Sequence, residues 1–236
     1  MTIRRPDPHN TPPAQVDLTW RAPKHGMAQV HLWAKTGHVA GLEAWQAAGG
    51  DLDLPWTHPD HSQSDGSTPL LFAVADTQSA AMDWLLRQPI NVQAVNGRGR
   101  NALHLIAHRF KQGDRPEVDL AHLIAAGVHL NAQENEHGRD RDGDSTEGFT
   151  PLLAELNRER LNSAQKVWRT EHIRQLVLAG ADLMVEAKHG FSVENFLGET
   201  ALTEYQQLRE SFARAQVRLG TLTAASTASS RKRMRS

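Results

Sequence analysis

Gly66-Ser67-Thr68-Pro69-Leu70-Leu71-Phe72-Ala73 decides the reading of this chain, because the phrase recurs. It returns as Gly99-Arg100-Asn101-Ala102-Leu103-His104-Leu105-Ile106-Ala107 and as Gly148-Phe149-Thr150-Pro151-Leu152-Leu153-Ala154. A worn copy opens the series, Gly26-Met27-Ala28-Gln29-Val30-His31-Leu32-Trp33-Ala34, and a decayed one closes it near Gly190, with Ser192 at the threonine position. Each threonine or asparagine can cap the free amides of a helix that begins one residue later, and proline is tolerated at that first position. Gly66, Gly99, Gly148 and Gly190 stand where a turn enters the helix and a positive φ is expected.

A second phrase answers the first. It reads Ala48-Gly49-Gly50-Asp51-Leu52, Ala126-Gly127-Val128-His129-Leu130 and Ala179-Gly180-Ala181-Asp182-Leu183, with Gly127 and Gly180 in the usual place of a helix C-cap. Between the two phrases lie residues with helical spacing: Leu42 and Trp45; Ala81, Met82, Trp84, Leu85 and Leu86; Leu120, Leu123 and Ile124; Ile173, Leu176, Val177 and Leu178. One such unit cannot hide its apolar face alone, but stacked neighbours can hide it from both sides.

This pattern resembles the ankyrin repeat, whose Thr-Pro-Leu-His-x-Ala signature has a period near 33 residues. Gly66 and Gly99 are 33 residues apart, and Gly37-His38 matches the family's turn between its two helices. The resemblance covers about residues 26–198. It implies an all-α solenoid of stacked helix-turn-helix units. The expected organisation is a proline-rich arm over 1–24, the repeat array over 25–198, a capping helix over 199–220 and a disordered basic tail over 221–236. The spacing departs from the family's. The steps from Ala28 to Thr68, Asn101, Thr150 and Ser192 are 40, 33, 49 and 42 residues, so extra chain falls in loops and between paired helices.

Composition sets limits. Of 236 residues 39% are apolar, enough for a core, and the net charge of −1 gives no global field for nucleic acid or membrane. No cysteine is present, so there is no disulfide frame and no thiolate metal site. The N-terminus lacks an apolar stretch behind its charges and does not read as a secretory signal, and no run is long enough to span a membrane. A cytoplasmic location is expected. Val16, Leu18 and Trp20 alternate and are placed against the first unit. Leu202, Tyr205, Leu208, Phe212, Ala215 and Leu219 form one stripe on a long helix, read as closing the array, with a dimerisation or partner helix as the alternative. The tail Arg231-Lys232-Arg233-Met234-Arg235 is basic, but nucleic-acid binding is not expected of so short a cluster.

Residues 133–149 are unusual in charge. Glu134, Glu136, Asp140, Asp142, Asp144 and Glu147 stand against Arg139 and Arg141, a net of −4. Asp140-x-Asp142-x-Asp144 starts like a calcium loop, but Ser145 stands where that loop needs glycine and Pro151 where it needs glutamate. Two readings remain, a finger that meets a basic partner and a flexible charged loop. His31 and His104 hold the histidine position of the signature, which the resemblance makes a structural tie between loops. His58, Asp60 and His61 could bind a transition metal, but lone pairs in polar loops seldom do. No nucleophile motif or phosphate-cradling loop is present, so no catalytic residue, cofactor or metal is expected.

The resemblance implies binding of a protein partner through the concave face and its fingers, by a chain that is monomeric when free. By position that surface carries Lys35, Thr36, Asp76, Asn96, Arg98, Arg100, His108, Arg109, Asn157, Arg158 and Lys188, joined by Glu134, Glu136, Asp140, Asp142 and Asp144 of the acidic finger. The family analogy narrows this to a bacterial cytosolic protein that neutralises a basic toxin or enzyme, as an immunity protein does. The alternative is an exported effector that binds host proteins, and an enzyme of unrecognised chemistry stands third.

Overall fold

The computed structural model describes residues 16–57, 66–107, 116–139, 143–158 and 161–233. Nine α-helices occur among them, and no strand beyond isolated bridges: α1 (Gln29–Thr36), α2 (Val39–Ala47), α3 (Pro69–Ala75), α4 (Ser79–Leu86), α5 (Ala102–Ala107), α6 (Pro116–Ala125), α7 (Pro151–Leu156), α8 (Ser163–Ala179) and α9 (Val193–Arg233). The chain is all-α.

The helices pair in chain order, α1 with α2, α3 with α4, α5 with α6 and α7 with α8. First helices then pack on first helices, α1 on α3, α3 on α5, α5 on α7 and α7 on α9, while α2, α4, α6 and α8 form a second row. The apolar phrase makes this contact. Leu70, Leu71, Leu103, Ile106, Leu152 and Leu153 are all at most 1% exposed, in one core that runs from Met27 to Leu202. Leu103→Ala should therefore lower stability by about 2–5 kcal/mol, the range for a buried leucine truncated in a packed core. A melting temperature unchanged within error would show that this leucine does not bridge neighbouring pairs.

Polar side chains tie each pair to the next at the end of the second row. The Asp53 carboxylate accepts from the Asn91 amide at 2.8 Å. Gln93 donates to the Gly127 carbonyl and accepts from the His129 amide. Asn131 accepts from the Asp182 amide at 2.8 Å. Met184 takes the next position. It is 71% exposed, and the Gln206 amide lies 3.8 Å from its sulfur.

Several local expectations need revision. Thr150 caps α7 by accepting from the Leu153 amide, and Asn101 accepts from the Leu103 and His104 amides. Thr68 makes no such bond, and its buried hydroxyl has no partner. Val16 and Leu18 pack on the core, whereas Trp20 is 37% exposed. Helix α9 runs past residue 220 through Arg233, across residues expected to be disordered. No proline follows Pro151 to stop it, and alanines favour its continuation. Its stripe buries Leu202 and half-buries Tyr205 and Leu208, then emerges at Phe212 and Ala215, which are exposed. A break at Gly198 (φ 77°, ψ 160°) separates its first turn from the rest. No described helix is long and apolar enough to cross a membrane.

Candidate functional site

The turns before the first helices form a row of fingers. Gly26, Gly66, Gly99, Gly148 and Gly190 all have positive φ, between 65° and 83°, as expected at four of them. The amide of each glycine closes its finger, for example Gly66 to the Trp56 carbonyl at 2.7 Å and Gly148 to the Glu134 carbonyl at 2.9 Å. The last three fingers touch through backbone. The Asn135 amide donates to the Arg98 carbonyl, and the Lys188 amide to the Glu147 carbonyl. A Cβ on Gly99 would stand 2.8 Å from the Asn135 nitrogen, so the close approach requires glycine there.

The two signature histidines fasten this row. His31 accepts from the Ala28 amide at Nδ1, and its Nε2 lies 2.8 Å from the Leu54 carbonyl oxygen. His104 Nδ1 lies 2.8 Å from Asn101 Oδ1 and 3.3 Å from the Asn101 amide nitrogen, and its Nε2 lies 3.0 Å from the Phe149 carbonyl oxygen. In His31, with Nδ1 accepting, Nε2 carries the proton and donates. Burial pushes both imidazoles down to about 4, so both are neutral at neutral pH.

Three residues assigned to the contact surface are buried instead. The Arg100 and Glu134 side chains are 7% and 0% exposed, with Arg100 Nε 2.9 Å from Glu134 Oε2. Arg100 Nη2 also donates to the Arg139 carbonyl at 2.7 Å, and Thr146 Oγ1 donates to Glu134 Oε2 at 2.6 Å. Burial pushes the Glu134 carboxyl up, an effect that the Arg100 charge and the Thr146 hydroxyl only partly offset. The acidic segment is thus neither a free finger nor a flexible loop at its base. Arg139 and Ser145 form an antiparallel bridge over this ion pair, and Arg98 Nη1 donates to the Arg139 carbonyl at 3.2 Å. Arg158 is the third correction. It donates to Glu155 Oε2 at 2.6 Å, while His172 Nδ1 lies 2.7 Å from Glu155 Oε1, all three side chains at most 7% exposed. Burial pushes the Glu155 carboxyl up, but hydrogen bonds and charge from His172 and Arg158 outweigh it and hold it below its ordinary value. Helix α8 is long enough to cover Arg158, whose carbonyl accepts from Arg169 at 3.0 Å.

The other assigned residues scatter over the first-helix ends and fingers. Lys35 and Thr36 are exposed at the end of α1, with Lys35 Nζ 3.9 Å from the half-buried Asp76 carboxylate after α3. Asn157 follows α7 and is half-buried. Asn96 Oδ1 accepts from the Arg98 and Arg100 amides, which makes it the organiser of its own finger. Glu136 and Asp144 are exposed on the acidic finger, and Lys188 pairs with Glu147 at 2.6 Å on the next. His108, Arg109, Asp140 and Asp142 lie outside the described residues, as do His58, Asp60 and His61. Among the described residues no group of three or more histidines and carboxylates is arranged to hold a metal ion. No protein family matches this chain, and no curated protein matches it.

Proposed function

We propose that this chain is an ankyrin-type repeat protein, a non-enzymatic module that binds a partner protein across its first-helix ends and fingers. The observation that carries this reading is the finger row. Five glycine turns stand in equivalent places, the last three fingers are joined by backbone bonds, and exposed polar residues border them. Fingers held this way present a pre-ordered surface at small entropic cost to binding. Lys35, Thr36, Asp76, Glu136, Asp144 and Lys188 are varied in charge, which suits discrimination between partners better than a greasy groove. The narrower proposal, resting on the family analogy, is neutralisation of a basic toxin or enzyme in the manner of an immunity protein.

Affinity capture with mass spectrometry in the native cell identifies the partner, and titrations then place the contact. Lys35→Glu combined with Asp144→Lys should weaken binding at least about tenfold, equivalent to 1.4 kcal/mol. Glu43→Lys, on the exposed side of α2 in the second row, should leave it unchanged. Loss of binding in the Glu43 variant with retention in the other would put the interface on the wrong face.

A further inference from the structure

The Gly99 finger carries a reactive pair. Asn96-Gly97 is the one asparagine–glycine step in the chain, and both residues are half-buried. In such a pair the glycine nitrogen can attack the asparagine side-chain carbonyl carbon, because glycine has no Cβ to obstruct the five-membered ring. The bond from the Gly97 nitrogen to Asn96 Cγ forms and the Cγ–Nδ2 bond breaks. Nδ2 leaves as ammonia, taking the proton of the Gly97 amide. Water then opens the succinimide at either carbonyl. The sum is asparagine plus water giving aspartic or isoaspartic acid plus ammonia, with no oxidant or cofactor.

The finger prepares each participant. Asn96 Oδ1 accepts from the Arg98 amide at 3.0 Å and from the Arg100 amide at 3.1 Å. The ring closed by the first of these bonds contains both Asn96 Cγ and the Gly97 nitrogen, so the atoms that must join are held in one turn. Two amides on one carbonyl oxygen polarise it and are placed to receive the negative charge that it gains on attack. Among the described residues nothing accepts from the Gly97 amide, and nothing holds Asn96 Nδ2, the leaving group. The described charges around Arg98 are Arg100, Arg139 and Glu134, so cations outnumber the acid and favour loss of the Gly97 amide proton. Asn162 makes the comparison. It is exposed, but its Oδ1 accepts from one amide, that of Gln165, and Ser163 follows it inside α8.

We infer that Asn96 is a self-modification site, which the folded finger converts without an enzyme to aspartate and isoaspartate. The products differ in effect. Aspartate keeps an Oδ acceptor for both amides. Isoaspartate carries the main chain through Cβ and Cγ, which adds an atom to the turn and takes Oδ1 into the backbone. The bond from the Gly99 amide to the Asn96 carbonyl, 2.8 Å, and the tie from the Asn135 amide to the Arg98 carbonyl, 3.0 Å, then start from a displaced chain. The row opens at its middle finger. The inference goes beyond the partner-binding reading and does not depend on it.

The full chain kept for days in mildly alkaline buffer, then digested for mass spectrometry, should show the mass gain of an amide-to-acid change at Asn96 before Asn162, in two chromatographic forms. Gly97 lies outside the left-handed region, so alanine fits its backbone, and Gly97→Ala should slow the change at least about tenfold. The folded chain should convert at least as fast as the chain unfolded in urea, which separates the finger's contribution from that of the dipeptide alone. Amide exchange at Gly99 and Asn135 should quicken in the isoaspartate fraction and not in Asn96→Asp, and equal exchange in the two would refute the opening of the row. An intact Asn96, a Gly97→Ala chain that changes as fast, or a several-fold faster change in urea would each overturn the assignment.

Discussion

Arg100→Ala should cost the fold about 3–5 kcal/mol, measured by urea titration, because it strands the Glu134 carboxylate in the interior. The side chain of Glu134 is fully buried, and one of its oxygens already lacks a partner. Whole domains are stable by only about 5–15 kcal/mol, so this change removes roughly three tenths to a half of the total at the middle of that range. The loss should be felt first where Arg100 and Glu134 join the finger. Amide exchange at Gly138 and Thr146, bonded to each other through backbone, should speed up more than at α1. The double change Arg100→Met with Glu134→Leu should cost less than Arg100→Ala alone, since it removes both charges and keeps the volume. If the single and double changes are equally costly, burial of the pair is not what holds the finger.

Acid should destabilise the protein through His31 and His104. Both are neutral in the folded chain, where burial holds them at about 4, while the unfolded chain takes up protons near the ordinary value of 6.5. Their contribution is thus complete above pH 6.5 and is lost as pH falls from 6.5 towards 4. Each accounts for a loss on the order of 3 kcal/mol across that window. Glu134 works in the opposite sense. Its raised value means that the folded chain binds its proton first, so acid relieves part of its burial cost above pH 4.5. The net fall is smaller than the two histidines would give alone. Melting curves between pH 7.5 and 4.5 check this, with His104→Gln as the companion. That variant should start less stable and show a shallower fall. An identical pH slope in both proteins would remove His104 from the account.

The sequence made the helices and their core legible because each copy of the phrase corrects the others. Leu103 could be assigned as buried from Leu70 and Leu152 in the same column. The glycine turns were readable for the same reason. Arg100 and Glu134 were not, since charged residues beside a turn ordinarily face water. A signal was nevertheless present. Arg100 lies between Gly99 and Asn101, and its counterparts Ser67 and Phe149 are 5% and 1% exposed. The column is a buried one, and an arginine in it needs a buried acid. Arg158 had no such warning. Its counterparts Thr36 and Asp76 are not buried, and its own burial comes from the long α8, which returns over it. The exit of α9 from the body was also hidden, because an even apolar stripe does not say where its covering neighbour stops.

The side-chain ties of the second row have a consequence for how such a chain can grow. Asp53, Gln93 and Asn131 each serve only the unit that follows. A duplicated unit spliced between them would bring its own acceptor and find a donor waiting, so these ties place no bar on a change of copy number in the middle of the chain. The place after Met184 is different. A thioether there offers an incoming amide little, and α9 already lies over α7 and α8. An asparagine at 184 would supply the acceptor that Asn131 supplies one unit earlier, and it is the first edit that a longer version of this protein would need.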